Sequence, residues 1–296
     1  MAIADKLNEL ITQRNNLADN LNTMGVSASQ SETLTTLVPK VLDIQAGGGS
    51  EITKGLKINA YDSDGYVTDA EIVGMTSIPD RYFSYIWHDS SLFSKIGVNL
   101  HLPNNITSIG ERAFYYCTYL GITELPDNIT NIGQYAFAYC ANLAITKLPS
   151  NLTSIGQYAF QSSNLAISEL PENLTSLSDS LFTNCSKITI SEIPSNITSI
   201  PSSCFNGCSS LTKIDILSEN LSAIYAYAFD YCSKLSQVII RNTTPPTLKN
   251  NAFRNTPIAS GTGYIYVPDG SVSAYQTATN WSAYASQIKG ISELGG

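Results

Sequence analysis

From residue 74 to residue 262 the apolar positions return at fixed intervals. Phe stands at 114, 137, 160, 182, 205, 229 and 253, in steps of 22 to 24 residues. Ile or Leu stands five residues before each Phe (Ile109, Ile132, Ile155, Leu177, Ile200, Ile224), and most repeats place another six residues after it (Leu120, Leu143, Ile188, Leu211, Leu235). Stretches such as Ile122-Thr123-Glu124-Leu125 suit brief strands with one face turned inward. Ala113, Phe114 and Cys117 have the spacing of one helical turn against the same core. Leu102-Pro103-Asn104-Asn105 opens a sentence that recurs from Leu125, Leu148, Leu170, Ile193 and, more loosely, Leu217. Pro cannot donate to a ladder and Asn tolerates turn geometry, so this segment marks a corner. Met75 to Phe83 matches Ile197 to Phe205, which brings the total to about eight repeats. One repeat cannot cover its own apolar face, whereas a stack of them can. The predicted fold is a repeat solenoid of short strands and helical turns.

The first third of the chain follows other periods. Ile3, Leu7, Leu10, Arg14, Leu17, Leu21 and Met24 are spaced 4-3-4-3-4-3, a heptad seam interrupted once by a charge. Leu34, Leu37, Val38, Val41 and Leu42 form a second helical pattern, opened by Ser31 and broken by Pro39. Two arrangements suit residues 1–46. The helices fold on themselves or on the repeats, or the seam of Ile3, Leu7, Leu10, Leu17, Leu21 and Met24 makes an oligomeric coiled-coil stalk, most simply a trimer. Residues 47–50, Gly-Gly-Gly-Ser, read as a linker, and residues 51–73 as a β-hairpin capping the open end of the stack. Residues 263–296 read as the opposite cap.

The pattern Leu-Pro-x-Asn-(Ile/Leu)-Thr-x-Ile-x-x-x-Ala-Phe-x-x-Cys resembles the BspA-type leucine-rich-repeat family, over about residues 72–291. The closing segment from Tyr264 through Tyr275, Trp281, Tyr284 and Ile288 looks like that family's C-terminal cap. The resemblance implies a leucine-rich-repeat fold and a binding role. It also implies the settings in which such repeats occur: bacterial surfaces, some protists and phage tails. A short helical head, a Gly linker, a capping hairpin and repeats together look like a phage tail or receptor-binding protein.

Composition narrows the chemistry. Only 14% of the 296 residues are charged and the net charge is −8, which repels a phosphate backbone and argues against nucleic acid. The apolar runs are too short for a membrane span, and the first residues lack the apolar run of a secretory signal. His88 and His101 have no zinc-binding spacing, and phosphate loops, nucleophile elbows and dinucleotide fingerprints are missing. Neither enzymatic activity, cofactor nor metal is expected. Cys117, Cys140, Cys185, Cys208 and Cys232 fall three residues after the Phe column, where Ser163 fills the same slot, and Cys204 immediately precedes Phe205. Interchange of Cys and Ser reads as a small buried ladder site rather than a disulfide framework, although stacked neighbours such as Cys117 and Cys140 have room to oxidise. Asp62, Asp64, Gly65 and Glu71 match part of a calcium loop, but Ala60 occupies its first position and a hairpin turn explains them better. Asn105, Asn128, Asn151, Asn173, Asn196 and Asn220 open Asn-x-Ser/Thr triplets in one column, which turn chemistry explains better than glycosylation.

Function therefore has to live on the surface columns. The strand face offers Glu124, Lys147, Glu169 and Glu192, with His101 at the same level. The turns beside Phe carry Tyr115, Tyr116, Tyr135, Tyr139 and Tyr158, and further along Tyr227 and Tyr231. Tyr among small hydroxyl residues offers flat apolar area with a hydrogen-bonding tip, suited to glycan or protein recognition; the same rings also suit plain coverage of the solenoid edge. The sequence reads as a non-enzymatic structural and binding protein. The first expectation is a virion tail component that touches a bacterial envelope glycan or protein, assembles with other tail proteins and forms a trimer. The alternatives are a bacterial cell-surface adhesin and a scaffold for an intracellular protein partner.

Overall fold

The structure is a computed structural model that describes residues 55–61, 67–84 and 99–295. The expected helical stalk of residues 1–46 and the linker that follows lie outside the described residues.

The apolar columns stack into one continuous core. Phe83, Phe114, Phe137, Phe160, Phe182, Phe205, Phe229 and Phe253 are buried and lie ring on ring. Their centroids are 5.1 to 6.1 Å apart and their planes within 25° of parallel. The leading Ile column forms two-residue parallel strands: Ser77–Ile78, Ser108–Ile109, Asn131–Ile132 and Ser154–Ile155 in one sheet, Ser199–Ile200, Ala223–Ile224 and Thr247–Leu248 in another. A second ladder of Glu192–Ile193, Lys213–Ile216, Gln237–Ile240, Tyr264–Val267 and Ile288–Gly290 is also parallel. At the N-terminal end the strands Gly55–Tyr61 and Val67–Val73 pair antiparallel, and the second pairs parallel with Asn99–His101. At the other end Phe253 meets Trp281 at 6.5 Å and Tyr284 at 5.8 Å. Trp281 Nε1–H donates to the Pro246 carbonyl at 2.8 Å, and Tyr275 O–H to the Asn242 carbonyl at 3.0 Å.

Two local expectations are corrected. The Ala-Phe-x-x-Cys segment is a run of turns and not a helical turn. In a helix each amide would bond backwards within its own segment. Here Phe114 N–H donates to the Ala136 carbonyl of the next repeat, Phe137 to Ala159 and Phe182 to Cys204, each at 2.8 Å. Left-handed residues on both sides of the Phe swing these amides out of the local helix pattern. Arg112 (φ 52°) and Tyr116 (φ 59°) flank Phe114, and Tyr135 (φ 54°) and Tyr139 (φ 63°) flank Phe137. Residues 122–125 form no strand either, although the same run of two exposed residues between buried ones at Ile190 to Ile193 ends in the paired strand Glu192–Ile193.

The cysteines have a defined task in this stack. The Cys117 thiol donates to the Phe83 carbonyl at 3.0 Å, Cys140 to Phe114 at 3.0 Å, Cys185 to Phe160 at 2.9 Å, Cys208 to Phe182 at 3.2 Å and Cys232 to Phe205 at 3.0 Å. From Cys140 on, each thiol adds a second hydrogen bond to a Phe carbonyl that already accepts an amide within its own turn, as Phe114 does from Cys117 N–H at 3.1 Å, and all six cysteines are free and buried. Gly133 is fixed by close approach: a Cβ there would stand 2.6 Å from the Glu111 nitrogen of the preceding repeat.

Candidate functional site

The five candidate tyrosines come together on the turn edge of the solenoid. Tyr116 and Tyr139 stack at 4.4 Å, and Tyr135 and Tyr158 at 4.6 Å with planes 2° apart. Tyr115 packs edge-on against Tyr116 at 4.8 Å, Tyr139 at 5.8 Å and Tyr135 at 5.9 Å. The Arg112 guanidinium lies over the Tyr135 ring at 4.8 Å and also pairs with Glu111. Desolvation, together with Tyr116 and Tyr135 alongside, pushes the Tyr139 hydroxyl above its usual value of 10.0.

This placement works against local preference. Tyr116, Tyr135, Tyr139 and Tyr158 all carry φ between 54° and 63°. A side chain with a Cβ in that region costs roughly 1–2 kcal/mol relative to the right-handed one. The equivalent positions elsewhere are filled by Ser162, Ser180, Asn184, Ser203, Gly207, Asn251 and Asn255, and also by Arg81, Arg112, Tyr227 and Tyr231, at φ 52° to 75°. Asn and Gly are the residues that tolerate it best. The backbone therefore fixes the conformation in every repeat, and tyrosine occupies it in only some of them.

The charged candidates form a column and not a joined cluster. Glu124, Lys147, Glu169 and Glu192 are each exposed, one residue before a buried Leu or Ile. Glu192 lies opposite Asp215 in the parallel ladder, and Asp215 accepts two hydrogen bonds from Arg241, at 3.0 and 2.7 Å. His101 belongs to a separate polar group on the hairpin sheet: its Nε2 is 2.9 Å from Asp69, which also accepts from Asn59 at 2.9 Å and Asn99 at 3.2 Å. Burial pushes the Asp69 carboxyl up, but these hydrogen bonds and the His101 charge outweigh it and hold the group below 3.8. His88 and the hairpin tip with Asp62, Asp64 and Gly65 lie outside the described residues, whereas Glu71 pairs with Lys57 at 2.6 Å. The asparagine column is turn chemistry: Asn128 donates to the Asn104 carbonyl at 2.6 Å, Asn173 to Ser150 at 3.0 Å and Asn196 to Leu174 at 2.7 Å. Among the described residues there is no metal-holding group of His, Cys, Asp or Glu, and no helix long and apolar enough to cross a membrane.

A second aromatic group joins Tyr227 and Tyr231, which the sequence singled out, with Tyr225 and Arg254, which it did not. Tyr225, Tyr227 and Tyr231 are the most exposed aromatic side chains described, at 41, 37 and 57%. Arg254 lies over Tyr227 at 5.0 Å and Tyr231 at 5.8 Å. The buried Asp230 holds that guanidinium in place, at 2.6 Å from its Nη2. Tyr227 and Tyr231 were legible as members of the turn column; Arg254 sits one residue after its Phe, a position without a common residue type.

A family model described as the BspA type leucine rich repeat region matches in six copies, over residues 76–208 and 167–269. No curated protein matches the chain. Among solved structures, a leucine-rich repeat protein from Bacteroides ovatus ATCC 8483 is 24% identical over 73% of this chain and 58% of its own, with a TM-score of 0.55. The T. pallidum leucine rich repeat protein is 21% identical over 64% of this chain and 91% of its own, with a TM-score of 0.48. A leucine rich cell surface protein from Faecalibacterium prausnitzii A2-165 is 25% identical over 75% and 62%, with a TM-score of 0.42. The chain thus spans 58% of the length of the Bacteroides protein, and that likeness is one of fold.

Proposed function

We propose that this chain, which belongs to the BspA-type leucine-rich-repeat family, is an adhesin-like binding protein of a bacterial cell surface and performs no catalysis. The observation that carries the binding role is the cluster of Tyr115, Tyr116, Tyr135, Tyr139 and Tyr158. Four of the five stand in a conformation that disfavours them, at positions where the same fold accepts Ser, Asn or Gly elsewhere. Stability alone does not select tyrosine at such sites, whereas contact with a protein or glycan partner does. The bacterial surface is one of the settings in which this family's repeats occur, and that supports the reading. Affinity in this arrangement comes from many shallow contacts and from several copies on one surface.

The labelled full chain, added to intact bacterial and epithelial cells, is expected to bind one of the two. Replacing Tyr139 and Tyr158 together with Asn should reduce that binding by at least about tenfold. The melting temperature should stay close to the original, because relief of left-handed strain offsets the lost ring contacts, each worth about 1 kcal/mol. Binding that survives the double substitution, or is absent from the start, counts against the reading.

A second reading is favoured by one sequence feature, the seam of Ile3, Leu7, Leu10, Leu17, Leu21 and Met24. An oligomeric stalk there suits a phage tail protein that contacts a bacterial envelope. The molar mass in solution of the full chain, compared with a chain beginning at Glu51, separates the two. A trimer that becomes a monomer on truncation supports the tail reading, and two monomers remove its basis.

A further inference from the structure

The two tyrosine groups face each other across a gap. Tyr158 is covered on one face by Tyr135, itself backed by Arg112, so its other face looks along the stack toward the next repeat. There the equivalent position is Ser180, and in the repeat after it Ser203. The next residue in that column is Tyr227, over one face of which lies Arg254 of the following repeat. The parallel column repeats the design. Tyr139 is backed by Tyr116, Ser162, Asn184 and Gly207 follow, and Tyr231 closes the gap with Arg254 behind it. Two pairs of aromatic side chains thus bracket a stretch of small neutral side chains, of which Ser180 is buried. Three repeats separate Tyr158 from Tyr227, a span of roughly 14 Å at the usual strand spacing.

We infer that this bracket binds a short neutral oligosaccharide, laid along the stack with its end sugars against the tyrosine faces. The inference rests on the binding role proposed above and names the ligand class and the site. Flat aromatic walls take the apolar C–H faces of sugar rings, while Ser, Asn and Tyr hydroxyls and amides match their hydroxyl groups. A quaternary ammonium seeks the negative face of an aromatic ring, and at the Tyr227 and Tyr231 wall a guanidinium already lies against the rings. An anionic ligand gains nothing from the stretch between, where the Ser and Asn side chains are uncharged.

The probe is a panel of immobilised tetrasaccharides, neutral, sialylated and phosphorylated, with a set of unstructured peptides alongside. The full chain is expected to retain one or more neutral members and to lose at least about tenfold in affinity on Tyr158→Ala or Tyr227→Ala. The decisive variant is Ser203→Tyr. Its φ of 54° matches that of tyrosines the fold already holds, such as Tyr227 at 59°, so the chain should fold and melt as before. Its ring would fill the gap and abolish retention. Retention of only charged sugars or peptides overturns the inference, and so does a neutral glycan that Ser203→Tyr still binds. If cell binding depends on Tyr139 and Tyr158 but is indifferent to Ser203→Tyr, the adhesin reading stands and the bracket falls.

Discussion

Replacing Phe160 with Ala is expected to lower stability by about 3–5 kcal/mol. Its ring is fully buried, and it lies 5.5 Å from Phe137 and 6.1 Å from Phe182, so the substitution removes two stacking partners and leaves a cavity inside the stack. The neighbouring repeats cannot close on that cavity without giving up the amide bonds from Phe137 to Ala159 and from Phe160 to Leu181. Because each repeat is supported mainly by its two neighbours, a central gap also weakens the coupling between the halves. Urea denaturation should therefore show a lower midpoint and a shallower transition. A loss below about 1 kcal/mol would show that the Phe column is not the main source of cohesion.

Raising the pH above 9 is expected to destabilise the chain steeply. Burial, the largest cause in each case, pushes the Cys140, Cys185, Cys204, Cys208 and Cys232 thiols above their ordinary value of 9.0, Cys185 to about 12. The unfolded chain releases these protons near pH 9 while the folded chain keeps them. The stability they contribute is thus complete below pH 9 and is lost as pH climbs toward the folded values. Each thiol that stays protonated costs about 1.4 kcal/mol of stability per pH unit in that window. Five together weigh heavily against the 5–15 kcal/mol typical of a folded domain. Thermal melts under reducing conditions should be level between pH 7 and 8.5 and fall sharply by pH 10.5. Tyr82, pushed up to about 12 by burial, adds a loss of the same sign that begins higher, near 10. Replacing Cys140 and Cys185 with Ala should flatten the decline, which separates the thiols from the tyrosine. A melting temperature unchanged to pH 10.5 would mean that the thiols are not held dry.

The repeat length, the Phe and Ile columns and the Cys ladder were readable from the sequence because burial imposes a period on residue type. The antiparallel pairing of Gly55–Tyr61 with Val67–Val73 was readable too, since that segment departs from the repeat. The turn geometry was not. Ala113, Phe114 and Cys117 have a spacing that fits a helical turn and a run of turns equally well. The feature that decides between them, a positive φ at residues such as Tyr116 and Tyr135, runs against those residues' own preference. The thiol-to-carbonyl bonds escaped for a related reason, because a Cys column marks a small buried site without revealing which acceptor it meets. Tyr115, Tyr116, Tyr135, Tyr139 and Tyr158 were found as candidates, but the sequence did not show which ring faces cover one another. The gap between Tyr158 and Tyr227 depends on that.

The forward bonds from each repeat to the next run along the rod, and they bear on how it responds to force. A pull on the two ends loads these rungs one after another instead of all at once, so the rod gives way from an end by peeling. Each repeat of 22 to 24 residues releases roughly 75 Å of extended chain as it lets go. A molecule held between two surfaces would then lengthen in steps under shear while its remaining repeats, with whatever they grip, stay intact.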